Sequence, residues 1–213
     1  LMRVMLFKRF ESSVYAFRET VRRMLNTHRA FLMALDQGIV PAGEEAQRLL
    51  YESDLDEEQA LLDALAQLGS RYVLSDFDAE ALRADVEQDV RVLARILELV
   101  EPITPAQDTK LQTLQAWLAQ PPLNGTKVLI FTQYADTAQY LYDNLDPADE
   151  RPEIEVIYSR EKSKAQVVGR FAPRANPEQR PPEGVVEIET LIATDVLSEG
   201  LNLQDCAHVV NYD

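Results

Sequence analysis

Hydrophobic residues recur at helical spacing through the first 121 residues of this 213-residue chain. Between residues 12 and 38, apolar side chains stand three and four positions apart: Val14, Phe17, Val21, Leu25, Phe31, Leu32 and Leu35. This spacing places them on one face of a helix, with Ser12 or Ser13 as N-cap and Gly38 just past the end. The pattern therefore predicts a long amphipathic helix.

Three further segments repeat the helical pattern. Residues 43–69 and 75–102 are predicted helices, the second opening on Ser75 and ending before Pro102, because the residue before a proline disfavours the helical conformation. Residues 104–122 add a helix that the pair Pro121-Pro122 stops. Residues 1 to about 121 are thus predicted to be all-helical.

After Pro122 the pattern changes to short, continuous apolar runs rich in Val and Ile. These runs are KVLIF (127–131), EIEVIY (153–158), ETLIAT (189–194) and AHVVNYD (207–213). Two helix-like stretches, YADTAQYLYDNL and KSKAQVVGRFAP, separate the first three runs. Doubly buried strands that alternate with helices indicate a parallel sheet. The predicted class is α/β, an all-helical N-terminal half followed by a parallel sheet with flanking helices.

Polar residues follow the first three predicted strands at their carboxyl ends. They are Thr132-Gln133, Ser159-Arg160, and Thr194-Asp195 with the loop that continues to Asp205. Ligands of parallel sheets bind at this edge, and hydroxyls, amides and backbone N–H groups suit phosphate oxygens. Gly200 permits close approach of a ligand to the backbone. The alternative to ligand binding is that these residues only cap the helices that follow, since helix N-caps favour the same residue types.

The net charge of −15 argues against an undifferentiated nucleic-acid binder, because attraction to phosphate needs local positive potential. The charge is unevenly distributed. Residues 1–35 carry seven basic and two acidic side chains, residues 160–174 carry five and one, and the acid lies mainly in 36–108. The basic segments either contact nucleic acid or form solvated helix faces.

Composition excludes several classes of protein and site. No run of 18 apolar residues is present, so no membrane span is expected. Cys206 is the single cysteine, which excludes an intrachain disulfide, and it forms no set of metal ligands with His28 or His208. The apolar start of the chain is interrupted by basic residues and lacks a cleavage site, so we expect a cytoplasmic protein.

Three stretches together resemble the second RecA-like lobe, or helicase C-terminal domain, of superfamily 2 helicases and translocases. They are KVLIFTQYADTAQYLYDNL, VIYS with the basic helix ending in GRFAP, and LIATDVLSEGLNLQDCAHVVNYD. The resemblance is narrower to the bacterial Swi/Snf-type branch, in which a segment similar to LFKRFESSVYAFRETVRRML precedes the lobe and forms a helical protrusion. It implies a protrusion or insertion over residues 1–121 and a lobe over 122–213 that stops before the arginine-finger motif.

The resemblance also implies roles for individual residues. IFTQ resembles motif IV and ATDVLSEGLNLQD resembles motif V. With the neighbouring basic residues, the candidate nucleic-acid contacts are Thr132, Gln133, Ser159, Arg160, Lys162, Lys164, Thr194 and Asp195. The candidate ATP-side and coupling residues are Ser198, Glu199, Gly200, Leu201 and Asn202. Asn202 stands where many helicases carry an acidic residue that contacts the ribose, and Swi/Snf-type members share this amide.

Residues needed for phosphoryl transfer are missing from the sequence. A P-loop enzyme needs a Gly-rich loop with Lys and Ser or Thr, and the chain has no Gly-Lys dipeptide. DEEQ at 56–59 imitates the acidic motif but falls within a helical pattern. We therefore expect no catalytic residues here, no metal or cofactor bound to the chain, and ATP with Mg²⁺ bound by a larger parent protein.

The leading hypothesis is a fragment of an ATP-dependent DNA helicase or translocase that acts on double-stranded nucleic acid. Its expected partner is the first RecA-like lobe of the same parent. The alternative is a non-catalytic interaction module whose acidic helical array docks a partner protein.

Overall fold

The computed structural model describes residues 2–43, 45–46, 63–65, 67, 75, 78–158, 164–194 and 202–213. The chain forms two compact units. Leu1–Phe17 and Ile103–Asp213 form the sheet unit, and Arg18–Pro102 form the helical unit. The sequence pattern placed a boundary near residue 121, whereas the sheet unit also includes the first 17 residues and residues 103–121. Among the described residues, no helix is both long and apolar enough to cross a membrane.

The N-terminal helices follow the predicted pattern closely. Helix α1 spans Met2–Ser12 and helix α2 spans Val14–Asp36. Ser13 caps α2, because its Oγ accepts the backbone N–H of Ala16 at 3.0 Å. Gly38, just past the end, has a φ of +75°, a left-handed conformation that favours glycine. The predicted amphipathic helix and both of its ends are confirmed.

Helix α3 spans Ala79–Val100, so the predicted start at Ser75 is wrong by four residues. The physical reason is that Asp78, not Ser75, caps the helix: its carboxylate accepts the N–H of Ala81 at 3.0 Å. The end before Pro102 agrees with the prediction. The predicted helix over 43–69 lies largely outside the described residues. Within the helical unit, Ala34, Ala46 and Leu65 form a small buried cluster.

The sheet unit contains four parallel strands in the order β2-β3-β1-β4. The strands are β1 (Val128–Phe131), β2 (Ile154–Ile157), β3 (Thr190–Ala193) and β4 (His208–Asn211). Strand β1 pairs with both β3 and β4, and Ile130 stands beside Ile192 and Val210 in the register. Every predicted strand is present, and the parallel α/β class is confirmed.

Among the described residues, three helices flank the sheet: α4 (Thr109–Leu118), α5 (Ala135–Leu145) and α6 (Lys164–Phe171). Single 3₁₀ turns at Pro105–Gln107 and Pro177–Gln179 precede α4 and follow α6. Asp108 caps α4 by accepting the N–H of Leu111 at 3.0 Å. The predicted helix over 104–122 is thus divided into a 3₁₀ turn and an α-helix.

Alternate residues along β1, β2 and β3 enter two separate cores. Val128, Ile130 and Ile192 pack with Leu111 of α4 and Leu141 of α5 on one face. The other face carries Leu129, Ile157 and Leu191, which pack with Val168 and Phe171 of α6. Both faces of the central strands β1 and β3 are therefore covered, whereas Val209 of the edge strand β4 is 64% exposed.

Gly169 in α6 generates a testable prediction about packing. A Cβ at this position would lie 1.8 Å from the backbone carbonyl oxygen of Gln179. Alanine normally stabilises a helix relative to glycine by about 1 kcal/mol, but overpacking against backbone costs about 1–3 kcal/mol or more. We expect Gly169→Ala to lower the Tm by about 5 °C or more, measured by thermal unfolding.

Gln166→Ala is the matched control, because Gln166 is exposed on the same helix. It should leave the Tm within about 1 °C, as surface substitutions usually do. A Gly169→Ala protein that melts at or above the unsubstituted temperature would contradict the close approach of α6 to the 177–179 turn.

Candidate nucleic-acid interface

The carboxyl ends of three neighbouring strands meet at one edge of the sheet, called here the carboxyl edge (residues 132–134, 194 and 212–213). The backbone N–H of Thr132 donates to the carbonyl of Ala193 at 3.0 Å, and that of Thr194 donates to Ile157 at 3.2 Å. Tyr212 donates to the carbonyl of Phe131 at 2.8 Å. The first and third predicted junctions therefore lie side by side.

Thr132 and Gln133 have different environments within the first junction. Thr132 is only 3% exposed, and its hydroxyl donates to the Asp213 carboxylate at 3.0 Å to one oxygen. Gln133 is exposed, while its backbone N–H donates to the same carboxylate. Thr194 is also 3% exposed. Gln133 thus offers an accessible side chain at this edge, and Thr132 holds the turn in place.

A cluster of hydroxyl groups lies beneath this turn. The Ser12 Oγ lies 2.5 Å from Asp213 Oδ1 and 2.8 Å from Thr137 Oγ1. The Ser13 Oγ lies 2.9 Å from Thr137 Oγ1. Ser12, Ser13 and Thr137 are all buried. The sequence indicates Ser12 and Ser13 only as alternative N-caps of α2. Because a helix needs one N-cap, the presence of two adjacent serines is the signal that could have indicated another role for one of them.

Arg9 of α1 contacts the other side of the β1–α5 turn. Its guanidinium lies 2.6 Å from the Asp136 carboxylate and 4.1 Å from the centre of the Tyr134 ring. Asp136 stands in the first turn of α5, where a carboxylate is favoured by the helix dipole. Arg9 therefore fixes a residue of the turn and one of the helix that follows it.

Lys110 closes the junction between α1 and α2. Its Nζ donates to the carbonyls of Glu11 at 2.6 Å and Ser12 at 2.9 Å, which are among the last carbonyls of α1. It also lies 4.1 Å from the centre of the Tyr212 ring. Burial lowers the pKa of Lys110, while the carboxylates of Asp213, Asp108 and Glu11 act in the opposite direction.

Most of the predicted basic and motif V residues lie outside the described part of the chain. These are Ser159, Arg160, Lys162, Asp195, Ser198, Glu199, Gly200 and Leu201. Lys164 is the first residue of α6 and is half-buried.

Asn202 is exposed, but its amide is engaged within the protein. The Nδ2 donates to the carbonyl of Ala175 at 3.4 Å, and the Oδ1 accepts the N–H of Gln204 at 3.2 Å. Asn176 in turn donates from its Nδ2 to the Asn202 carbonyl at 2.7 Å. Asp205 accepts the backbone N–H of Ala175 at 3.0 Å. These bonds fasten the segment before β4 to the turn after α6, a role that the sequence did not indicate.

Within the described residues, no group of His, Cys, Asp and Glu could hold a metal ion. Of the predicted ATP-side residues only Asn202 is described, and its amide bonds to Ala175 and Gln204.

A concave surface lies at the opposite edge of the sheet. This cleft, of about 390 Å³, adjoins the amino ends of β2 and β3, at Ile154 and Thr190. Its wall includes Gln115, Asn124 and Arg151. The cleft shares no residue with the carboxyl edge.

Comparison with known proteins gives one match. Residues 109–213 match the family model described as the helicase conserved C-terminal domain. No curated protein and no solved structure matches the chain. The matched range includes α4, the whole sheet and its flanking helices. Residues 109–213, just under half of the chain, are therefore similar to a helicase C-terminal domain.

Proposed function

We propose that the sheet unit is part of the second RecA-like lobe of an ATP-dependent DNA helicase or translocase, with the nucleic acid at the carboxyl edge. The observation that carries this proposal is the exposed Gln133, on a turn held beside the Thr194 junction. The helicase C-terminal match over residues 109–213 supports it. Nucleic-acid binding and a partner lobe follow from that family.

The chemistry of the edge suits the backbone of a nucleic acid more than its bases. An amide side chain contacts phosphate and sugar oxygens, which position a strand without reading its sequence. Lys164 stands at the start of α6 and supplies a cation, and Arg160 and Lys162 precede it in the chain. We propose double-stranded DNA as the ligand, contacted through its backbone.

The finer assignment to the bacterial Swi/Snf-type branch rests on the motif V sequence with Asn202. In this proposal, residues 198–202 couple the nucleic acid to ATP in the parent protein, and the helical unit is the protrusion. ATP and Mg²⁺ would supply the free energy of phosphoryl transfer. We assign no step of hydrolysis to the described residues, since the phosphate-binding loop would come from the first RecA-like lobe.

A second candidate function is docking of a partner protein on the acidic helices. Val92 and Leu99 of α3 are 46% and 62% exposed, and the sequence around them carries the acidic residues Asp89, Glu98 and Glu101 as well as Arg91 and Arg95. Apolar side chains in such a setting are typical of protein contacts. This candidate predicts that the chain does not bind DNA even at low salt, so the DNA-binding measurement below separates the two functions.

We expect the chain to bind duplex DNA weakly and in a salt-dependent manner. Few cations would contact phosphates on a protein of net charge −15, so little binding should remain above about 0.15 M salt, where the Debye length is about 8 Å. Fluorescence anisotropy with a labelled duplex at about 0.02 M salt measures the affinity. Gln133→Ala should weaken binding about fivefold to tenfold, because it removes a contact to a charged phosphate.

Gln115→Ala is the control for this substitution, since Gln115 is exposed and lines the cleft at the opposite edge. It should leave the affinity unchanged. Salt-independent binding, or equal effects of the two substitutions, would contradict a ligand at the carboxyl edge.

The second prediction for this function concerns ATP turnover. The purified chain should release no phosphate from ATP above background, with or without DNA, because it carries no Gly-Lys phosphate-binding loop. A steady-state phosphate-release assay checks this. Turnover that persists through repurification would show that the chain itself contains a hydrolytic site.

A further inference from the structure

The junction between α1 and α2 packs directly against the turn that carries Gln133. Ser12, the last residue of α1, has no exposed surface. Its hydroxyl lies 2.5 Å from the Asp213 carboxylate and 2.8 Å from the Thr137 hydroxyl. A side chain buried to this degree does not touch a ligand, so any effect of Ser12 on binding passes through its partners.

The hydroxyl groups of this cluster form a series of hydrogen bonds in which each hydroxyl donates to the next acceptor. An ionised carboxylate only accepts hydrogen bonds, so the single hydroxyl proton of Ser12 is donated to Asp213. Ser12 then accepts from Thr137 at 2.8 Å, and Thr137 accepts from Ser13 at 2.9 Å. This series of hydrogen bonds therefore ends at the Asp213 carboxylate, and a hydrogen bond to such a charged acceptor is stronger than one to a neutral acceptor.

Asp213 connects this chain to the β1–α5 turn. Besides Ser12, its carboxylate accepts the Thr132 hydroxyl at 3.0 Å and the backbone N–H of Gln133. Three donors from two separate parts of the sequence thus converge on one carboxylate. Loss of the Ser12 hydroxyl would remove one donor and free Asp213 to move relative to the backbone of Gln133.

Arg9 restrains the same turn at two further positions. It pairs with Asp136 at 2.6 Å and lies 4.1 Å from the centre of the Tyr134 ring. Together with the bonds through Asp213, the end of α1 restrains the turn from Thr132 to the start of α5. Such contacts would determine the direction in which the exposed Gln133 side chain points.

We propose that Ser12 is a positioning residue for the nucleic-acid contact made by Gln133, acting through the Asp213 carboxylate. This inference rests on the proposed function, since it requires that Gln133 contacts nucleic acid. The competing explanation is that the cluster only stabilises the fold. Ser13 separates the two: it is buried in the same junction, bonds to the same Thr137 and caps α2, but has no hydrogen bond to Asp213 among those of the described residues.

A double-substitution cycle tests the proposal on the intact 213-residue chain. The affinity for the labelled duplex at low salt is measured for Ser12→Ala, Gln133→Ala, the combined variant and Ser13→Ala, each with its Tm. We expect Ser12→Ala to weaken binding about as much as Gln133→Ala, and the combined variant to bind no more weakly than Gln133→Ala alone. Ser13→Ala should lower the Tm through its lost cap but leave the affinity unchanged.

Each failure has its own signature. An unsubstituted chain that does not bind DNA overturns the proposed function itself. If the chain binds and Gln133→Ala weakens binding, an unchanged affinity for Ser12→Ala overturns the positioning role. Additive effects of Ser12→Ala and Gln133→Ala, or an equal loss of affinity in Ser13→Ala, would show that the cluster acts only on stability.

Thr132→Val keeps the test decisive if Ser12→Ala does not fold. Valine matches threonine in shape but removes the second hydroxyl donor to Asp213. The same coupling to Gln133→Ala is expected, and additivity overturns the proposal.

Discussion

Parallel pairing of β1 with both β3 and β4 is the constraint on which the carboxyl edge depends. Because the three strands run in one direction and in one register, the residues that follow them have to emerge side by side. Packing stabilises that register, since a shift by one residue would move each side chain of β1 and β3 out of the cluster in which it packs. The position of Thr132, Thr194 and Tyr212 at a common edge follows from pairing alone.

Strand pairing does not determine the conformation of the turns. The β1–α5 turn is held in addition by the buried hydroxyl cluster of Ser12, Ser13 and Thr137 and by Asp213. A typical hydrogen bond adds about 0.5–1.5 kcal/mol and one to a charged group about 1.5–3 kcal/mol, whereas a buried unpaired hydroxyl costs about 1–3 kcal/mol. Burying Ser12 and Thr137 is therefore favourable only while the hydrogen bonds from Thr137 to Ser12 and from Ser12 to Asp213 are made. The turn that carries Gln133 shares that requirement, because its N–H bonds to the same carboxylate.

The strands and most helix ends could be predicted because their signals are local. Continuous Val and Ile runs, the Ser13 cap, Gly38 and the proline stops each act within a few residues. The error at Ser75 has the same origin, since Asp78 is a second suitable cap nearby. Contacts such as Ser12 with Asp213 join residues 201 positions apart, and no local pattern indicates them. The hydrogen bond from the Asn202 amide to the carbonyl of Ala175 could not be predicted for the same reason, since the two residues are 27 positions apart in the sequence.

The most direct measurement is a titration of the ¹⁵N-labelled chain with a short DNA duplex at low salt, followed by amide chemical shifts. We expect the shifts to concentrate at the carboxyl edge and at the start of α6, at Gln133, Lys164 and Thr194. Amides of the opposite cleft, at Asn124, Gly125 and Arg151, should remain unchanged. Shifts confined to the cleft or to the helical unit, with none at Gln133 or Thr194, would contradict the placement of nucleic acid at the carboxyl edge.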